Sequence, residues 1–99
     1  MATKRLSIPN DLSSMSMTHN TDNLTITVTA DCTWCYSDPN GCFPNGLLAA
    51  GSYTATTPPT TYGPYTPTGT GTVNFNAVTS GTCNPDGGPA AAVHSITVS

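Results

Sequence analysis

From Leu24 to Tyr36 the chain alternates with a period of two. Leu24, Ile26, Val28, Ala30, Cys32, Trp34 and Tyr36 fall on one parity, and Thr25, Thr27, Thr29, Asp31 and Thr33 on the other. That pattern specifies extended backbone with one buried and one wet face. A run of thirteen residues is longer than an ordinary strand. It therefore predicts a bend or bulge near Asp31–Thr33, or two strands in succession.

The same alternation recurs elsewhere. Met15 and Met17 oppose Ser14, Ser16 and Thr18, and Val73, Phe75 and Ala77 oppose Thr72, Asn74 and Asn76. Ala92, His94, Ile96 and Val98 share a parity near the end. Asp38-Pro39-Asn40-Gly41 and Pro44-Asn45-Gly46 are tight-turn signals, since Asn-Gly readily takes positive φ. Gly51–Thr56 reads as a further strand. The tract 57–71, with four Pro, reads as a loop, an edge or an extended connector, because Pro cannot donate to a central ladder. A single turn at Gly46–Ala50 is the only helical candidate.

Composition agrees with this pattern. There is no Glu and no Gln, and nineteen Thr stand against five Leu, so strong helix formers are scarce. The expected fold is all-β: one small antiparallel β-sandwich, immunoglobulin-like or a related Greek key, of about six or seven short strands. Residues 1–11 are expected to be a flexible lead and 12–99 the domain. Lys4 and Arg5 are the only cationic side chains besides the two His. That excludes nucleic-acid binding, which needs clustered Lys and Arg. It also excludes a polybasic membrane contact, and no apolar run is long enough to insert into a bilayer as a helix.

Leu, Ile, Val and Phe total fifteen of 99 residues, while the formal net charge is only −3. Low net charge argues against disorder. The expectation is a folded domain with a thin core, which usually needs a covalent, metal or oligomeric supplement. Cys32, Cys35, Cys42 and Cys83 are the available means, spaced C-x2-C-x6-C-x40-C. On a regular strand Cys32 and Cys35 face opposite sides and would take separate partners. Cys35 and Cys42 flank a turn; Cys32 lies on the buried parity and could reach Cys83. Three complete pairings exist, and spacing does not select one. Structural disulfides are the expectation, and a zinc-type site built from the same four Cys is the alternative, although only one Cys-x2-Cys knuckle is present. Cys and composition favour an extracellular or cell-surface setting, yet the first ten residues lack the apolar stretch of a signal peptide.

Other chemistry is thinly provided. Met15, Met17, His19 and His94 include soft-metal ligand types, but no His lies within ten residues of a Cys, unlike a blue-copper loop. His94 is expected to be a core or rim residue. Asp and Asn in the turns suit turn formation better than calcium, for which the bidentate Glu is missing. No nucleophile, phosphate or zincin motif occurs. The best candidates for a contact surface are Tyr53, Tyr62 and Tyr65, near Pro58, Pro59, Pro64 and Pro67. Rigid aromatics on a stiffened loop offer contact area at low ordering cost; the competing reading is that these rings cover the thin core. The expected function is a non-catalytic structural or adhesion-type module without a cofactor. Its partner would be a protein, a second copy or a carbohydrate, met through the Tyr/Pro loop or the strand edges.

Overall fold

The computed structural model describes residues 2–9, 14–79, 83 and 92–99, with residues 92–94 described in backbone only. Among these residues the structure is all-β, with eight strands and no helix. The strands are β1 (Thr3–Ile8), β2 (Met15–Met17), β3 (Asn23–Val28), β4 (Cys32–Ser37), β5 (Gly51–Tyr53), β6 (Thr61–Tyr65), β7 (Gly71–Val78) and β8 (Ala92–Val98). They form a three-stranded sheet in the order β1-β3-β6 and a five-stranded sheet in the order β2-β8-β7-β4-β5.

Three expectations need correction. The strands number eight among the described residues, not six or seven. The sheets are mixed rather than antiparallel, because β1 runs parallel to β3 and β2 parallel to β8. The segment expected as a flexible lead contains β1, which buries Leu6 and Ile8 to 1% and 2% exposure. The apolar spacing of Leu6 and Ile8 is the signal that the neighbouring Lys4, Arg5 and Pro9 obscured. A chain short of apolar side chains uses these two as well.

Of the two outcomes expected for the long alternating run, the structure shows two strands rather than one bent strand, with the break at residues 29–31. β3 ends at Val28 and β4 begins at Cys32, and the two lie in different sheets. The apolar parity is kept across the break, so Leu24, Ile26 and Val28 from one sheet join Cys32 and Trp34 from the other in one buried cluster. Leu6, Met17, Val73, Phe75 and Ile96 complete its centre. The Trp34 and Phe75 rings stack at 5.1 Å, and the Trp34 indole N–H donates to the Leu48 carbonyl at 3.3 Å. That bond satisfies a donor that would otherwise be costly to bury.

The chain ends are tied to one turn. The Asn23 N–H donates to the Ala2 carbonyl at 2.8 Å, and the Ser99 carbonyl accepts from the His19 backbone N–H at 3.0 Å. The His19 ring Nδ1 donates to that same carbonyl at 2.9 Å. Met17 is buried and Met15 packs partly buried beside it, so the Met pair serves packing. The His94 side chain lies outside the described residues. Among the described residues no helix is long and apolar enough to cross a membrane.

Candidate functional site

The four cysteines separate into a bonded pair and two thiols. Cys35 is joined to Cys83 with their Cα atoms 6.0 Å apart, bridging 48 positions of sequence. Cys32 and Cys42 are free and buried. The opposite facing of Cys32 and Cys35 explains this division: Cys32 enters the core with Trp34, while Cys35 looks outward from the five-stranded sheet towards Cys83. Burial pushes the Cys32 thiol up from its ordinary value, with Asp31 adding to the shift. Burial does the same to Cys42, assisted by Asp38. Among the described residues no three His, Cys or Asp side chains gather as a metal-binding group, and the four sulfurs do not converge as a zinc-type site requires.

The tyrosines lie where the two sheets present neighbouring edges. Tyr53 on β5 and Tyr62 on β6 meet edge to face, with ring centroids 5.9 Å apart and planes at 74°. Each belongs to an edge strand of its own sheet, so the pair covers the opening between them. Both rings, with Tyr36 and Tyr65, pack partly buried against the core. Burial raises the Tyr53 phenol above its ordinary value, with Tyr62 contributing. The tract expected as a loop or edge contains β6, with Pro64 inside it, on the edge of the three-stranded sheet.

Tyr65 also lines a cleft. Residues 43–46 form one wall and residues 64–66 the other, enclosing about 150 Å³. The first wall is held by Asp38. Its carboxylate accepts the Cys42 N–H at 2.8 Å and the Phe43 N–H at 2.9 Å. The Gly46 N–H closes a turn onto the Phe43 carbonyl at 2.9 Å, and Gly46 takes φ +82°. In the two Asn-Gly signals only the glycines, Gly41 and Gly46, take positive φ, and both lie inside the long β4–β5 connection rather than in two-residue hairpins. Cys42 and Phe43 sink to 0% and 4% exposure, anchoring the loop while Pro44 and Asn45 stay exposed.

The segment just past the second wall is tied to the residue just before the first. The Cys42 carbonyl accepts N–H bonds from Thr68 at 2.9 Å and Gly69 at 3.3 Å. At Gly63, φ is +105°, and a Cβ there would lie 2.8 Å from the Leu24 carbonyl and 3.1 Å from the Tyr65 ring. Glycine therefore lets β6 approach β3 at the register shift between Leu24 and Ile26 and lets the Tyr65 ring fold back over position 63. The Tyr65 phenol is raised above its ordinary value by burial first, then by Tyr53, Tyr62 and Tyr36.

Sequence reasoning singled out Tyr53, Tyr62 and Tyr65, but the structure divides their roles. Tyr53 and Tyr62 seal the sheet edges, whereas Tyr65 reaches the cleft. Pro44, Asn45 and Thr66 were missed as lining residues, because nothing local shows that a turn some twenty positions upstream packs beside Tyr65. No family model, no curated protein and no solved structure matches this chain.

Proposed function

We propose that this chain is a non-catalytic, adhesion-type binding module: an immunoglobulin-like β-sandwich that holds its partner in the cleft beside Tyr65. The strand order supports the architecture. Immunoglobulin-like domains place strand B beside E in one sheet and C′, C, F and G in order in the other. Here β3 lies beside β6, and β5-β4-β7-β8 follow in order. That correspondence puts the buried Trp34 on the equivalent of strand C, where such domains carry their core Trp. Two features differ: β1 runs parallel to β3, and the disulfide joins β4 to the connection after β7 rather than crossing between sheets.

The observation that carries the binding reading is a cleft with anchored walls. The Asp38 carboxylate holds the start of the first wall, and Tyr65 of the second pairs with Leu24 of β3, so less conformational freedom remains to be lost when a ligand enters. The strand edges are less suited to pairing with a partner. β2 and β5 are three residues each, β6 contains Pro64, and β1 carries Lys4 and Arg5. Short strands, Pro and cationic residues all discourage edge-to-edge association.

The test is binding of the purified chain to arrays of extracellular proteins and of glycans, beside Tyr65→Ala. The expected result is at least one feature held by the parent and lost by the variant. Binding that is indifferent to Tyr65, or no binding to any feature, overturns the proposal.

A further inference from the structure

We infer that the cleft between the 43–46 loop and the end of β6 binds a single neutral pyranose ring, as a free hexose or the end unit of a sugar chain. The inference rests on the binding-module reading and names its ligand. Size is the first argument. The cleft encloses about 150 Å³, and a protein cavity of about 150 Å³ accepts one benzene ring. A hexose is larger than benzene, so this open cleft takes one edge or face of a single sugar unit and leaves the rest in solvent.

Chemistry is the second argument. Pro44, Pro64 and Tyr65 supply apolar surfaces for the C–H faces of a sugar, Asn45 brings an amide, and the Thr66 hydroxyl, which donates to Asn23, is left as an acceptor. Its lining contains no Asp, Lys, Arg or His, so a charged ligand gains nothing there. A proline-rich peptide fits less well. Such peptides advance about 3.1 Å per residue and dock along grooves lined with aromatic rings. Here Tyr65 alone is a partly exposed ring, because Phe43 is turned into the core at 4% exposure.

Pre-organisation is the third. A sugar gives up much hydration for weak contacts, so its site must lose little entropy on binding. Asp38 fixes the start of the first wall, the Cys42 carbonyl holds residues 68 and 69 just past the second, and Gly63 lets the Tyr65 ring rest against the backbone. Tyr65 is thus positioned before any ligand arrives.

The experiment is an amide chemical-shift titration of the full chain with the methyl glycosides of glucose, galactose and mannose and with N-acetylglucosamine. Glucuronate and glucosamine serve as charged comparisons. At least one neutral sugar is expected to move the Asn45, Gly46, Tyr65 and Thr66 amides saturably, and neither charged sugar to bind more tightly. Tyr65→Ala should weaken binding by roughly tenfold or more, equivalent to about 1.4 kcal/mol, whereas Tyr65→Phe, which keeps the ring, should retain it. Unmoved amides, or an affinity unchanged in a folded Tyr65→Ala, overturn the inference. Should Tyr65→Ala fail to fold, Asn45→Ala at its exposed site decides, and an unchanged affinity there overturns it equally. A proline-rich peptide that moves the same four amides when no sugar does overturns the ligand class while leaving the module intact. A blank array in the preceding test overturns the module itself.

Discussion

Breaking the Cys35–Cys83 bond should remove a large part of this domain's stability. The bridge spans 48 positions, and closing a loop of that length lowers the entropy of the unfolded chain by ~14 cal/mol/K, about 4 kcal/mol at 25 °C. A domain of this size is stable by roughly 5–15 kcal/mol in total, and a thin core places it towards the lower end. With a urea m-value of about 1–1.5 kcal/mol/M, the midpoint should fall by roughly 3 M. The assay is urea unfolding of the oxidised chain, the reduced chain and the Cys35→Ala/Cys83→Ala variant, all read by far-UV dichroism. Mass spectrometry supplies the bookkeeping: the native chain should be two hydrogens lighter than the reduced one and yield two alkylatable thiols on unfolding, Cys32 and Cys42. If all three forms unfold within about 1 kcal/mol of one another, well below the loop-closure figure, the bridge is not what supplements the core.

Replacing Trp34 by Ala should cost about 3–5 kcal/mol, because its ring is 1% exposed and stacks on Phe75; a urea midpoint close to the parent's would contradict that. The Asp22 carboxylate accepts the Thr18 N–H at 2.8 Å and is held below its ordinary value of 3.8 chiefly by that bond. A carboxylate lowered on folding contributes stability above 3.8 and loses it as pH falls through the lower folded value. The stability gap between parent and Asp22→Asn should therefore be flat near neutrality and shrink in acid, and a gap independent of pH would refute the assignment. Cys32 and Cys42 ionise above their ordinary value of 9.0 in the folded chain. Their stabilising effect is complete below 9.0 and fades as pH rises through the folded values, so native-state alkylation at pH 8 should be far slower than in urea. Equal rates would show that these thiols are accessible.

The strands with strict alternation were legible from sequence as extended segments. β3 follows its parity throughout, whereas β4 and β7 follow it only in part, since Cys35, Asn76 and Val78 are buried on the opposite parity; a second strand after β3 was one of the two outcomes the length allowed. Pairing was less legible, because period-two patterning says which face is buried but not which strand lies beside which. The parallel placement of β1 on β3 depends on where the chain turns after Ile8, and Leu6 and Ile8 are too few to declare it. Cys pairing failed for the same reason: parity correctly separated Cys32 from Cys35, yet the partner of Cys35 is set by the approach of residue 83 to β4. In the site, the aromatic half was visible as Tyr65 in a Pro-rich tract. The polar half was not, since Asn45 reads locally as turn chemistry and meets Tyr65 only through tertiary contact.

One loop joins stability to the candidate site. Asp38 organises residues 42–46 so that Cys42 and Phe43 point into the core while Pro44 and Asn45 form a cleft wall. The Cys42 carbonyl then holds the connection that follows β6. The first wall cannot lift without withdrawing Phe43 or breaking the Asp38 bonds, so its position depends on the core beneath it. The scarce apolar side chains are thereby used twice, once to fill the interior and once to fix a surface. Weakening the core at Phe43 should loosen the cleft before it unfolds the domain, because the loop is held by one buried aromatic whereas each sheet is held by many. Phe43→Ala should accordingly raise amide exchange at Asn45 and Gly46 while leaving β7 and β8 protected. Uniform loss of protection across both regions would show that loop and core open as a single unit.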